Sequence, residues 1–123
     1  MPAKTTEING AQSNAFSLFP VRRNRRVILI KVDFIDWIGS AGNYVTLHVG
    51  QQSHLLRGTL DAIALRLPSH RFVRISRFNL VQVDRIKELE LLDSGDCRVT
   101  LHTGTKLMLS RRYRPNLHRR GLL

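Results

Sequence analysis

Three short stretches bring together the residue types that recognise a polyanion. Gly39-Ser40-Ala41-Gly42-Asn43, Ser76-Arg77-Phe78-Asn79 and Ser110-Arg111-Arg112-Tyr113 each combine a small polar residue with Asn or Arg. An Arg guanidinium is a planar fork of donors that matches a guanine edge or a phosphate with two bonds at once, whereas Lys acts as a point charge. An Asn amide donates and accepts, so it suits a base edge or a tight turn. Arg77, Arg111 and Arg112 are therefore candidates for groove or phosphate contacts, and Asn43 for a base-edge or backbone hydrogen bond. Arg74 is a candidate for a phosphate contact that positions without specifying, and Ser76 and Ser40 are the remaining candidates. Each has a plainer reading: a surface ion pair of small worth for an arginine, a positive-φ turn for Gly42-Asn43, and turn closure for a serine.

The overall charge favours the same partner. The 123-residue chain carries 20 Lys+Arg against 9 Asp+Glu, a formal +11 at pH 7, and 16 of the 20 cations are Arg. Its pI is near 11.4. Such an excess repels itself unless a polyanion is the usual partner, because Lys and Arg neutralise phosphates and release condensed counterions. Nucleic acid leads that expectation, ahead of an anionic membrane. Three cationic stretches contain no acid: Arg22-Arg23-Asn24-Arg25-Arg26, read as a basic arm; Ala62 to Val83, with Arg66, Arg71, Arg74 and Arg77; and Cys97 to Leu123. The acids gather at 33–36 and 84–96, which predicts one polarised face.

Other classes find little support. The single Cys97 excludes an internal disulfide and a multi-Cys zinc site, and the five His form no pair at ligand spacing. Asp84 with Glu88, or Asp93 with Asp96, lack the third ligand that a nuclease metal site needs, so no enzyme, metal or cofactor is expected. Met1 to Pro20 has no secretory apolar core, and no apolar run approaches about 18 residues, which fits a cytoplasmic protein with no membrane partner.

The elements that must hold these residues read as mostly β within a single domain. Residues 1–20 read as a flexible tail or linker remnant and residues 21–123 as the domain. Val27 to Ile30 is the expected first strand, and Asn43 to Val49 alternates so that Val45, Leu47 and Val49 face inward. Gly50-Gln51-Gln52 turns into Ser53 to Arg57, Asp93-Ser94-Gly95-Asp96 joins strands 85–92 and 97–102, and Thr103-Gly104-Thr105 turns into Lys106 to Leu109. Leu60, Ile63, Ala64 and Leu67 recur at helical spacing, which predicts one short amphipathic helix over 59–67, capped by Thr59 or Gly58 and closed by Pro68. Trp37, Phe72, Phe34 and Tyr44 read as core.

At these residues the chain resembles the LytTR family of bacterial transcription regulators. Asp33 to Val45, which includes Trp37-Ile38-Gly39-Ser40-Ala41-Gly42-Asn43-Tyr44-Val45, is similar to the family's opening D-x-I-x-[YW]-I-E-[AS]-x-G-N-Y-V. Phe72 to Ile86 is similar to F-x-R-[IV]-H-R-S-x-I-V-N-x-x-x-I, and Leu107 to Tyr113 to the closing L-x-[VL]-S-R-x-Y. Gly58-Thr59-Leu60 and Leu67 match the family's small helix. The departures are Gly39 where an acid is commoner, Ser76 in place of His, Phe78 in place of Ser and Gln82 in place of Asn.

The resemblance covers roughly residues 27 to 118. It implies a small, elongated, mostly antiparallel β fold whose loops enter successive major grooves of double-stranded DNA. The family's contacts would fall on Asn43, Arg77 and Arg111 or Arg112. Two copies on a direct-repeat site, as a homodimer on DNA, are expected. Many family members carry a receiver or sensory domain before this one, so the chain reads either as a stand-alone regulator or as the response-regulator output domain of a longer protein. Three alternatives remain: a protein-interaction module that modulates another regulator through a β edge or the 59–67 helix, a non-specific nucleic-acid binder, and a single-strand binder. The last needs aromatics along a groove, and apart from Tyr113 only Phe78 lies in a candidate loop.

Overall fold

Among the described residues, alternating runs of β-branched and aliphatic residues, cut by Gly and Asn turns, give ten antiparallel strands in three sheets. The computed structural model describes residues 18–123. The first sheet is a hairpin of β1 (Leu18–Arg23) and β2 (Arg26–Lys31), turned at Asn24 with φ 55°. Asn tolerates that left-handed conformation better than most residues. The second sheet contains β3 (Trp37–Ala41), β4 (Tyr44–Val49), β5 (Gln52–Arg57), β6 (Phe72–Ser76) and β7 (Asn79–Gln82) in the order β5-β4-β3-β7-β6. The third contains β8 (Ile86–Leu91), β9 (Cys97–Leu101) and β10 (Lys106–Leu109) in the order β10-β9-β8.

Two expectations need correction at the N-terminal end. β1 starts at Leu18 and buries Phe19 and Val21 completely or nearly so, so residues 18–20 belong to the fold and not to a tail. The rest of the expected tail, residues 1–17, lies outside the described residues. The cationic stretch 22–26 is no leading arm either: it is the tip of the β1–β2 hairpin, with Arg23 paired to Arg26.

The five-stranded sheet is covered on both faces at β3, β6 and β7, and this divides the core. One cluster joins Phe19, Val21 and Ile30 of the hairpin to Ile38, Val45, Leu47, Phe72 and Leu80, with Leu60, Ile63 and Leu67 laid across them. The other joins Val73, Ile75 and Val81 to Cys97, Val99, Leu101, Leu109 and Leu117. Adjacent residues Phe72 and Val73, or Leu80 and Val81, enter opposite clusters, as the pleat requires.

The predicted helix is present but shorter. α1 (Leu60–Ala64) is capped by Thr59, whose Oγ1 accepts from the Ala62 N–H at 3.1 Å, and tighter turns carry the chain on to Leu67. A second helix not expected from sequence, α2 (Arg114–His118), has Pro115 in its first turn and buries Leu117 in the second core. Of the four aromatics read as core, Phe72 is buried and Trp37 half-buried, stacked on His48 at 3.8 Å between centroids. Phe34 and Tyr44 are exposed, because the first sits in a turn after β2 and the second on the outward side of β4.

Candidate nucleic-acid interface

Strand register brings the three candidate loops to one end of the molecule. β3 runs antiparallel to β7 with Trp37 opposite Val81, Ile38 opposite Leu80 and Gly39 opposite Asn79. The β3–β4 turn at Gly42-Asn43 and the β6–β7 turn at Arg77-Phe78 therefore emerge on the same edge. A main-chain bond ties them: the Ser40 N–H donates to the Phe78 carbonyl at 2.9 Å. The third loop is tied in the same way, with the Ser110 N–H donating to the Ile75 carbonyl at 3.0 Å before the tight turn Arg111–Tyr113.

Within this cluster the candidate residues divide into those that brace and those that project. Arg74 braces. Its Nε donates to the Ser76 carbonyl at 2.7 Å, one Nη to the Arg77 carbonyl at 2.9 Å and the other to Asp61 at 2.7 Å, while its guanidinium lies 5.9 Å from the Tyr113 ring centroid. Ser76 is buried, and its hydroxyl accepts from the Phe78 N–H at 3.1 Å and donates to Asn79 Oδ1 at 3.3 Å. It closes the turn in the way that serine does in loops.

Arg77, Phe78 and Arg112 project. They line a cleft together with Arg74, Asn79, Met108, Ser110 and Tyr113, and Asp61 contributes its rim from α1. Arg77 is exposed, with its guanidinium 5.3 Å from the Phe78 ring centroid. Arg111 is also exposed but takes another direction: its side chain crosses Gly95 in the β8–β9 turn, where an added Cβ would stand 2.6 Å from Arg111 Cδ. Asn43 and Ser40 are exposed at the β3–β4 turn, and the Asn43 carbonyl accepts from the Gly58 N–H at 2.9 Å. Gly42 carries the positive φ there, 67°.

Several cations of the acid-free stretches are engaged elsewhere. Arg71 pairs with Asp33 and Arg98 with Glu90, and Arg120 donates to the carbonyls of Ser69, His70 and Phe72. The predicted single polarised face is thus narrower than the sequence spacing suggests. Met108 and Asp61 are the cleft residues that sequence reasoning missed; for Met108 its outward place on β10, just before the third loop, was the available signal.

At the far end of the same sheet, Gln82 has a structural task. Its amide donates to the Ile35 carbonyl at 2.7 Å and accepts from Arg71 at 3.2 Å, beside the pair of Asp36 with Arg85 at 2.7 Å. Gly39 is likewise structural, since a Cβ there would meet the Trp37 ring at 3.1 Å. Among the described residues no group of three His, Cys, Asp or Glu could hold a metal ion, and no helix is long and apolar enough to cross a membrane.

An antiparallel β scaffold presenting braced, Arg-bearing loops at one edge is the form of a DNA-binding module, and comparison with known proteins agrees. The LytTr DNA-binding domain family matches residues 25–121, and the chain belongs to that family. Its members are non-catalytic DNA-binding domains of transcription regulators. The chain is similar to the sensory transduction protein LytT of Enterococcus faecalis, 26% identical over 113 residues, covering 92% of this chain and 45% of that protein. It is also similar to the transcriptional regulatory protein BtsR of Escherichia coli K12, 29% identical over 105 residues, covering 84% of this chain and 42% of that one. The chain thus spans less than half the length of these relatives. A solved LytTr DNA-binding domain from Bacillus cereus shares the fold, with TM-score 0.77 at 14% identity over 85% of this chain and 96% of that chain.

Proposed function

We propose that this chain binds double-stranded DNA sequence-specifically in the bacterial cytoplasm, as the output domain of a transcription regulator. The turns at 42–43, 77–78 and 111–113 enter successive major grooves, and two copies occupy a direct repeat. Arg77 and Arg112 make groove or phosphate contacts, Asn43 a base-edge hydrogen bond and Arg111 a flanking phosphate contact. Ser40 lies alongside at the first turn. Arg74 and Ser76 act from behind, holding the second loop in shape. The observation that carries this reading is the convergence of three loops on one sheet edge through main-chain bonds, with Arg77 and Arg112 in one cleft. The names of the longer relatives, which speak of sensory transduction and transcriptional regulation, support a regulated parent protein with a receiver or sensory domain.

Selection of bound duplexes from a random library at about 150 mM salt, where non-specific binding is weak, tests the proposal. The expected outcome is a short repeated motif. On that motif, Arg77→Ala and Arg112→Ala each cost about 1–3 kcal/mol and relax the preference at one position where the side chain reads a base. Retention without enrichment, lost as salt rises, would overturn the specific reading.

A further inference from the structure

The second loop carries a large apolar side chain in a cleft whose other lining residues, apart from Met108 and Tyr113, are polar or charged. Phe78 is 55% exposed, Met108 beside it is 40% exposed, and both line the cleft with Arg77 and Arg112. The exposure does not come from a loose segment. Every backbone polar atom of Phe78 is engaged: its N–H donates to Ser76 Oγ at 3.1 Å, and its carbonyl accepts from the Ser40 N–H and from Asn79 Nδ2, both at 2.9 Å. The ring therefore stands on a fixed base, with the Arg77 guanidinium 5.3 Å from its centroid.

A ring offers no hydrogen bond, so its partner on a nucleic-acid surface must be apolar. In the major groove only the C5-methyl group of thymine meets that description. The cationic neighbours place that partner within a polyanion, since Arg77 and Arg112 would hold the backbone or a guanine edge on either side. Resting on the duplex reading above, we propose that Phe78, with Met108 alongside, reads thymine by enclosing its C5-methyl group, and so sets sequence preference through shape.

Replacing thymine by deoxyuridine removes the methyl group and leaves base pairing unchanged. The probe is the duplex enriched from the random library, with each thymine exchanged singly for deoxyuridine. The expected result is a loss of about fourfold in wild-type affinity at one position per half-site, the weight of one methyl-sized group leaving water. Phe78→Ala binds more weakly and no longer distinguishes the two bases there. A wild-type protein indifferent to every exchange would overturn the inference while leaving the selected motif intact. A penalty that persists in Phe78→Ala would assign the methyl group to another side chain and overturn it equally. Absence of any enriched duplex would remove the underlying reading. The deoxyuridine series needs no variant, and thermal melting of Phe78→Ala checks that this exposed substitution leaves the fold unchanged.

Discussion

Two arginines three residues apart, Arg74 and Arg77, show how position alone divides one residue type into two roles. Arg74 spends its donors on the Ser76 and Arg77 carbonyls and on Asp61, and little of it is left for a ligand. Arg77 is exposed, and its guanidinium lies over the Phe78 ring. Arg74→Ala is therefore expected to lower stability by about 1–2 kcal/mol, since two loop carbonyls lose charge-assisted donors in a partly exposed setting. Thermal melting checks the loss, and DNA affinity falls with it because the second loop loosens. Arg112→Ala should bind more weakly at an unchanged melting temperature. The residue types were legible in sequence, because Arg and Asn between small polar residues mark recognition loops. Which arginine braces and which projects was not. That depends on Asp61, thirteen positions away in a different element, and on a turn whose carbonyls point back at Arg74.

At the scale of elements, burial on one face decided what could be read. β4 alternates over most of its length, and of its predicted inward residues Val45 and Leu47 are fully buried while Val49 is half-buried against the same cluster. The hairpin strands β9 and β10 were legible for the same reason and from their Gly turns. β3, β6 and β7 lie at the middle or end of a sheet covered on both sides, so the period-2 signal is weak in them and only the family motif marked their place. β1 was missed because Pro20 and its polar approach read as linker, although a proline is tolerated in an edge strand. α2 is too short for a helical period, and its Arg114-Pro115-Asn116 start read as an extension of the cationic end.

The β3–β4 pair also predicts a pH response. His48 stacks on Trp37 in the opposite strand, and burial pushes its pKa below the ordinary histidine value, an effect that nearby Asp36 only partly offsets. The unfolded chain then binds this proton more readily than the folded one. Stability from this pair is thus complete above about pH 6.5 and declines as pH falls through the ordinary histidine range. Melting between pH 8 and pH 5 should show the decline, and His48→Phe, which keeps the stack, should flatten that part of it.

For the molecule as a whole, the distribution of charge matters more than its total. The hairpin tip bears Arg22, Arg23, Arg25 and Arg26, all exposed, on a sheet separate from the recognition loops. If the tip meets the DNA backbone, Arg25→Gln with Arg26→Gln weakens selected and scrambled duplexes alike. The slope of log affinity against log salt should then fall by about 0.9 for each phosphate that is no longer neutralised. An unchanged slope would remove the hairpin from the footprint. The ties between loops have a different kind of consequence. Ser40 to Phe78 and Ser110 to Ile75 are bonds between main-chain atoms, and such bonds form whatever side chains the turns carry. The tips at 77, 78 and 112 are thereby released from any duty to the fold. Copies of such a gene would be free to drift at these positions and acquire new target sequences, each step leaving a folded protein for selection to act upon.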